Sequence, residues 1–391
     1  MSIAESIESI NTLAGNVSGL KGNERQDLLQ ACEKLRDKLE KPSDTIVRLA
    51  FSGHQLVVLR LAADLKLFDV MALEAGQSLD GSVNLHALAE KTPAEPLLLT
   101  RIMRFLAAMG AVHEIRPQVY SPAPLAADLV SSSPLSAALI HCTHFMSVLS
   151  KLPEYFNEKG WKSPHDAHDG PFQFALGSSQ HYFEFLSSNP YYGQAFNTVM
   201  AMPFRRRGKN WFEFYPAAER LLVSSAGEDL RMFHERFPDL PGKLVLQDLA
   251  PVIDSATALP ERIESQSYDF FQEQPIKHAK AYFMRTVLHD WPDQQAEKIL
   301  RRVCDAMGPN SVLLINELIL PEAGVLLSSA LGDIQMMGSF ASLERTEAQW
   351  KQLLQNAGLE LVHVWLPQDC EKTPEALANQ AAVFEARRRY G

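Results

Sequence analysis

From about residue 211 onward, short apolar runs that each end in a polar residue alternate with amphipathic segments at helical spacing. Residues 243–247 run into Asp248, residues 279–284 into Arg285, and residues 311–316 into Glu317. Residues 294–307 and 344–357 carry apolar positions every three to four residues, and residues 359–365 read as a late strand. Repeated strand–helix units predict an α/β fold: a mostly parallel, doubly wound sheet with helices on both faces. Ligands on such sheets bind beyond the carboxyl ends of the strands. Asp248, Glu317 and the His289-Asp290 pair fall there.

The preceding half reads differently. Residues 1–40 place Leu13, Val17, Leu20, Leu28, Cys32, Leu35 and Leu39 at helical spacing, interrupted by Gly15, Gly19 and Gly22. This predicts an amphipathic arm that must bury its stripe on its own body or on a second subunit. Residues 45–115 read as helices, with Asn84 as an N-cap, a break at Thr92-Pro93 and a stop at Gly110. Two strand-like pieces, 111–115 and 119–121, follow, so the pattern is that of a winged helix. DNA binding is disfavoured, because the second helix offers only Arg101 and Arg104 within an apolar face. Residues 136–205 are helical and rich in aromatic, His and Met side chains, from His141 to Phe204, a composition suited to lining a pocket for a flat apolar ligand. The chain divides by this reading into an N-terminal domain (1–135), a pocket-forming linker (136–210) and a Rossmann-like domain (211–391).

A length of 391 residues predicts two or three domains, and a net charge of −10 argues against a phosphate backbone as partner. The densest basic run, Arg205-Arg206-Arg207, reads as a solvated loop. Four scattered cysteines without a CxxC pair suggest neither zinc nor a disulfide framework, and free thiols fit a reducing, cytoplasmic compartment. The first residues lack the basic and apolar regions of a signal peptide, and no stretch reads as a membrane span.

His289 lies in RTVLHDWPD at a strand end, where an imidazole is a candidate general base or a structural histidine. Glu317 and Glu344 are placed to flank it, since a carboxylate on one ring nitrogen leaves the other free to take a proton. Gly227 precedes Asp248 by 21 residues, close to the spacing of about 20 at which a carboxylate reaches a ribose hydroxyl after a glycine turn.

The blocks FPDLPGKLVLQDLAPVI (237–253), YDFF (268–271), AYFMRTVLHDWPDQQAEKIL (281–300), LLINELILPEAG (313–324) and LERTEAQWKQLLQNAGL (343–359) resemble the cation-independent, caffeic-acid-type S-adenosylmethionine-dependent O-methyltransferases, above all their fungal secondary-metabolism branch. The resemblance implies that His289 is the base, oriented by Glu317 and Glu344. It implies that Asp248 holds the cofactor ribose and that Asp269 and Phe270 lie at the adenine. Arg285 then stands where many members have a lysine near the cofactor. Asp333, Met336 and Met337 fall on a helix lining the acceptor pocket. It further implies a homodimer formed by the N-terminal domain, a small-molecule phenolic or enolic acceptor, and no metal, nucleic acid or membrane partner.

The chain departs from the family at its glycine-rich turn. Where three clustered glycines of the form VDVGGGxGHD are expected, residues 219–233 read ERLLVSSAGEDLRMF and keep only Gly227. Ser224, Ser225 and Ala226 carry Cβ atoms where the backbone must approach a ligand. Three readings follow: methyl transfer with a cramped turn, a pericyclase, cyclase or dehydratase that has given up methylation, or an inactive scaffold. Intact His289, Glu317 and Glu344 favour an enzyme.

Overall fold

The computed structural model describes residues 2–202, 208–217, 227–239, 241–255, 259–368, 370 and 372–389. Residues 205–207 and 221–226, and with them the basic run and the SSA turn, lie outside the described residues. The chain divides into two compact units, Met1–Ala127 and Asp128–Gly391.

In the first unit, Ser2 caps the opening helix, Ile3–Gly15, in a capping box with Glu5. Gly22–Leu39 and Pro42–Asp64 follow as longer helices, the latter opening on proline at its first turn. These three helices bury almost nothing, and Ala62 is the one buried residue recorded in Pro42–Asp64. Contrary to the sequence reading, Pro42–Asp64 is long and apolar enough to cross a membrane by length and composition, with mean hydropathy 1.3. Arg48, Ser52, His54 and Gln55 interrupt its apolar run, which hid it from a search for unbroken stretches. The unit's core forms further on, where Leu67, Phe68, Met71, Leu99, Met103 and Leu106 are buried. Each such side chain contributes about 1.5–3 kcal/mol relative to exposure. Asn84 caps Leu85–Lys91, its side chain accepting the Ala87 N–H. Pro96–Ala108 follows, and then strands β2 (Val112–Arg116) and β3 (Val119–Pro122). With β1 (Val83–Asn84) they form an antiparallel sheet of order β1-β3-β2, and the β2–β3 turn needs a left-handed Gln118 (φ 62°).

The second unit opens with five helices, Pro134–Leu149, Leu152–Lys159, Pro171–Leu176, Tyr182–Ser188 and Pro190–Ala201. An aromatic cluster draws on them: Phe145, Phe172 and Tyr182 are buried against Met336 and Phe340. A short helix, Trp211–Phe214, follows.

β4 (Leu244–Asp248) and β5 (Ile263–Ser267) pair in parallel, as do β6 (Ala281–Arg285) and β7 (Val312–Glu317). β7 is buried along its whole length, as a central strand covered on both faces must be. Its alternate side chains enter different cores. Leu313 and Ile315 pack with Ile299, Leu300, Trp350 and Leu353, from helices Asp293–Ala306 and Glu347–Asn356. Val312 and Leu314 pack with Trp211, Leu230 and Phe233, and that core also takes Leu244 and Ile263 from β4 and β5. The period of two thus builds the doubly wound arrangement.

The sheet is less parallel than expected. β9 (Ala382–Arg388) lies between β7 and β8 (Leu359–Trp365), antiparallel to both, giving the order β6-β7-β9-β8. The last helix of the βα repeat begins at Glu347 with Thr346 as its cap, which leaves Glu344 in the preceding loop rather than in a helix.

Candidate active site

Two parallel strand ends fix the centre. β6 and β7 run in register, Arg285 beside Asn316, and the chain leaving β6 passes over the end of β7. Thr286 adopts a left-handed conformation (φ 47°), and a single 3-10 turn, Leu288–Asp290, follows. A turn this short leaves its leading N–H groups without partners inside the turn. Glu317 Oε1 supplies one, accepting from Val287 (2.9 Å), Leu288 (3.0 Å) and His289 (3.4 Å). Glu317 Oε1 therefore reaches the backbone of the histidine turn rather than a ring nitrogen. The ring is met by Glu344, whose Oε1 stands 3.0 Å from His289 Nδ1, while Nε2 lies 3.5 Å from Asp290 Oδ1.

His289 is only 8% exposed. Burial alone pushes an imidazole toward neutrality, but Glu317, Asp290 and Glu344 together outweigh it and raise His289 to about 10. Burial likewise raises the carboxyl of Glu317, against the pull of His289. Three carboxylates around one imidazole leave this centre with an excess of negative charge that would suit a cationic ligand.

The other residues singled out in the sequence take varied places. Asp248 ends β4; burial raises its carboxyl, and its Oδ1 accepts the Leu249 N–H at 2.7 Å. Asp269 caps the turn after β5, accepting from Phe271 N–H at 2.9 Å. Phe270 packs edge-on against Trp291. Arg285 is ion-paired with Asp229 at 2.8 Å, which ties the end of β6 to helix Gly227–Arg236. Gly227 is the first residue of that helix. Asp333, Met336 and Met337 lie on Leu327–Phe340; Met336 is buried in the aromatic cluster, and Asp333 accepts the Glu344 N–H at 2.8 Å, with burial raising its carboxyl. Asp333 thus steadies the Glu344 loop. At the start of Tyr182–Ser188, the His181 ring stacks on Trp291, 4.6 Å between centroids, and burial lowers its pKa to about 4. The Tyr182 hydroxyl is buried with no hydrogen-bond partner among the described residues. Burial first, and the Asp290 charge second, push it well above the ordinary phenol value. Sequence reasoning missed Asp229, Ser342 and Arg345, whose partners lie about 50 residues or more away along the chain.

Residues 225–360 match the O-methyltransferase domain and residues 47–132 the O-methyltransferase dimerisation domain. Demethylsterigmatocystin 6-O-methyltransferase of Aspergillus parasiticus is 32% identical over 334 residues, covering 82% of this chain and 84% of that one. The chain belongs to the O-methyltransferase family. It is an S-adenosylmethionine-dependent O-methyltransferase by that membership. Among solved structures, a pericyclic reaction enzyme superposes with TM-score 0.79 at 27% identity, covering 99% of this chain and 100% of the other. The structure of LepI in complex with S-adenosylmethionine gives the same TM-score, identity and coverage. In this O-methyltransferase the donor set fits such a cofactor on two counts. A carboxyl group at the end of β4 suits a ribose diol, and the carboxyl groups around His289 suit a sulfonium.

Proposed function

We propose that His289 is the general base of methyl transfer to a phenolic or enolic hydroxyl of a flat, largely apolar secondary metabolite. The observation that carries this reading is the Nδ1 contact with Glu344, which fixes the ring and leaves Nε2, 3.5 Å from Asp290 Oδ1, as the nitrogen to meet an acceptor. Asp248 would hold the ribose hydroxyls and Asp269, with Phe270, the adenine; Met336 and Met337 would line the acceptor side. When bound, S-adenosylmethionine supplies a methyl group, the carbon–sulfur bond breaking as the oxygen–carbon bond forms, and a sulfonium charge that becomes a neutral thioether. To act as the base His289 would have to be in its neutral form, without the proton that its carboxylates favour. The neutral ring then keeps its remaining proton on Nδ1 toward Glu344 and accepts the hydroxyl proton at Nε2. A phenol, with pKa near 10, is mostly protonated at neutral pH and needs such a base.

Residues 1–135 form, in this reading, the interface of a homodimer working in the cytoplasm. Residues 136–210 shape the acceptor pocket and residues 211–391 hold the cofactor. The test is a panel of phenolic and enolic acceptors with S-adenosylmethionine, followed by mass spectrometry. A product heavier by one methylene is expected, and His289→Ala should lower kcat by about 10²–10⁴-fold with cofactor Kd within about twofold. Equal loss of turnover and cofactor binding would contradict the base assignment. The full-length likeness to a pericyclic reaction enzyme favours a second reading, that the same centre reshapes an intermediate without methylation. A product of unchanged mass with a rearranged skeleton would select it, whereas absence of any turnover from a stable dimer would leave a scaffold.

A further inference from the structure

The loop after helix Leu327–Phe340 meets the histidine turn at several points. Glu344 reaches the His289 ring, but its neighbours reach the turn's carbonyls, where Glu317 takes its amides. Ser342 Oγ donates to the His289 carbonyl at 2.6 Å. Arg345 donates from Nη1 to the Leu288 carbonyl and from Nη2 to the Trp291 carbonyl, both at 2.9 Å. Its Nε and Nη2 also meet Asp293 Oδ1 at 3.0 and 2.7 Å, and the guanidinium lies over the Trp350 ring, 5.1 Å from its centroid.

Arg345 is 1% exposed, whereas the Asp293 side chain that balances its charge is 63% exposed. Burying a guanidinium is costly unless its donors are all but satisfied. Here a rigid fork meets two carbonyls three residues apart, which a lysine's single ammonium cannot reproduce. Glu317 therefore holds the amides of 287, 288 and 289 while Ser342 and Arg345 hold the carbonyls of 288, 289 and 291. The loop is fixed in turn: Ala341 takes a left-handed conformation (φ 54°), the Glu344 N–H meets Asp333, and the Arg345 carbonyl accepts from Leu320 at 3.0 Å. One short segment, residues 342–345, thereby sets both where the His289 backbone lies and where its ring points.

We propose that Ser342 and Arg345 are positioning residues for His289, holding its turn so that the imidazole meets the acceptor hydroxyl at a fixed distance and angle. This rests on the assignment of His289 as the base. A group that orients a reacting residue typically governs about 10- to 100-fold in rate, the size of effect that a displacement of about 1 Å also produces.

The test compares Ser342→Ala, Arg345→Lys and Arg345→Met with the wild-type full-length chain, by methyl-transfer kinetics, by calorimetry with S-adenosylhomocysteine, and by NMR of ¹⁵N-histidine-labelled protein. Each variant is expected to lower kcat, about 3- to 10-fold for Ser342→Ala and about 10- to 100-fold for Arg345→Lys, with acceptor KM and cofactor Kd within about twofold. Arg345→Lys should rescue the melting temperature of Arg345→Met in part but not its kcat. The His289 ring resonances and titration midpoint should shift in both Arg345 variants, since the distances to Asp290, Glu317 and Glu344 change with the turn; Asp333, Tyr182, His181 and Asp293 are further titratable groups packed around this region. A lowered melting temperature with unaltered kcat and unaltered His289 resonances would overturn the proposal. Shifted resonances in a chain without methyl-transfer activity would retain the clamp and refute the base assignment instead.

Discussion

A single imidazole surrounded by three carboxylates makes proton affinity the property to measure first. His289 is raised in the folded chain, to about 10, above the value near 6.5 of an unfolded histidine. The stability this contributes is fully present below about pH 6.5 and is lost as pH rises through about 10. Urea midpoints should therefore fall across that window. Glu344→Gln keeps a hydrogen-bonding oxygen but removes a charge, so the imidazole midpoint read by NMR should drop and the window narrow; an unmoved midpoint would discount Glu344 as a source of the shift. Cofactor binding adds a second check. Calorimetry in buffers of different ionisation enthalpy should show proton release with S-adenosylmethionine and less with neutral S-adenosylhomocysteine. At this scale the sequence was legible in placing polar groups at strand ends, as with Asp248, Glu317 and the His289 turn beyond β6. It was illegible where a side chain answers a distant backbone. Nothing beside Arg345 announces that its donors face carbonyls more than 50 residues away, and Glu317 looked like a ring partner because its actual partners are amides, which no side-chain pattern displays.

Between elements, the packing of short helices is tight enough to be tested by one methyl group. A Cβ at Gly193 would stand 2.5 Å from the Leu186 carbonyl oxygen, where helices Tyr182–Ser188 and Pro190–Ala201 meet at Asn189. Backbone cannot yield as a side-chain tip can, so Gly193→Ala should destabilise by about 1–3 kcal/mol, visible as a lowered melting temperature. An unchanged melting temperature would mean that the two helices can part without loss. Because Tyr182 and His181 stand at the start of the first of them, acceptor KM should rise as well. Besides β2 and β3 of the first unit, the strands that pattern reading found are those with apolar runs, β4, β6, β7 and β8. β5 was missed because only Ile263 of its five residues is buried and the rest are polar. β9 was missed because Glu385 and two arginines break its apolar run. Glu385 is buried all the same, accepting from Trp365 Nε1 at 3.0 Å, so the charge sits inside a strand that otherwise reads as a core element.

Taken whole, the chain has an imbalance between its two units: one carries deep cores on both faces of a sheet, the other leaves long helices bare. Ile3, Ile7, Leu29, Leu39, Ile46 and Phe51 are all exposed, along helices that precede or enter the stretch matching the dimerisation domain. Stable association needs about 1,000 Å² or more of well-fitted surface, which helices of this length can supply. Removal of residues 2–40 should therefore lower the weight-average mass seen by light scattering toward that of one chain, with far-UV circular dichroism of the remainder preserved; an unaltered mass would assign the interface elsewhere. The sheet holds a different consequence. β9 is threaded between β7 and β8 but follows both in the sequence, and its first residue pairs with Glu317. During translation β7 can pair with β6 as it is made, but β8 leaves the ribosome before the strand that joins it to the sheet, and the other border of β7 stays open until β9 follows. A nascent chain halted before residue 382 would carry the carboxylate of β7 on a ragged border. Synthesis order thus makes the reaction centre an all-or-nothing product, and prematurely terminated chains should hold no residual turnover.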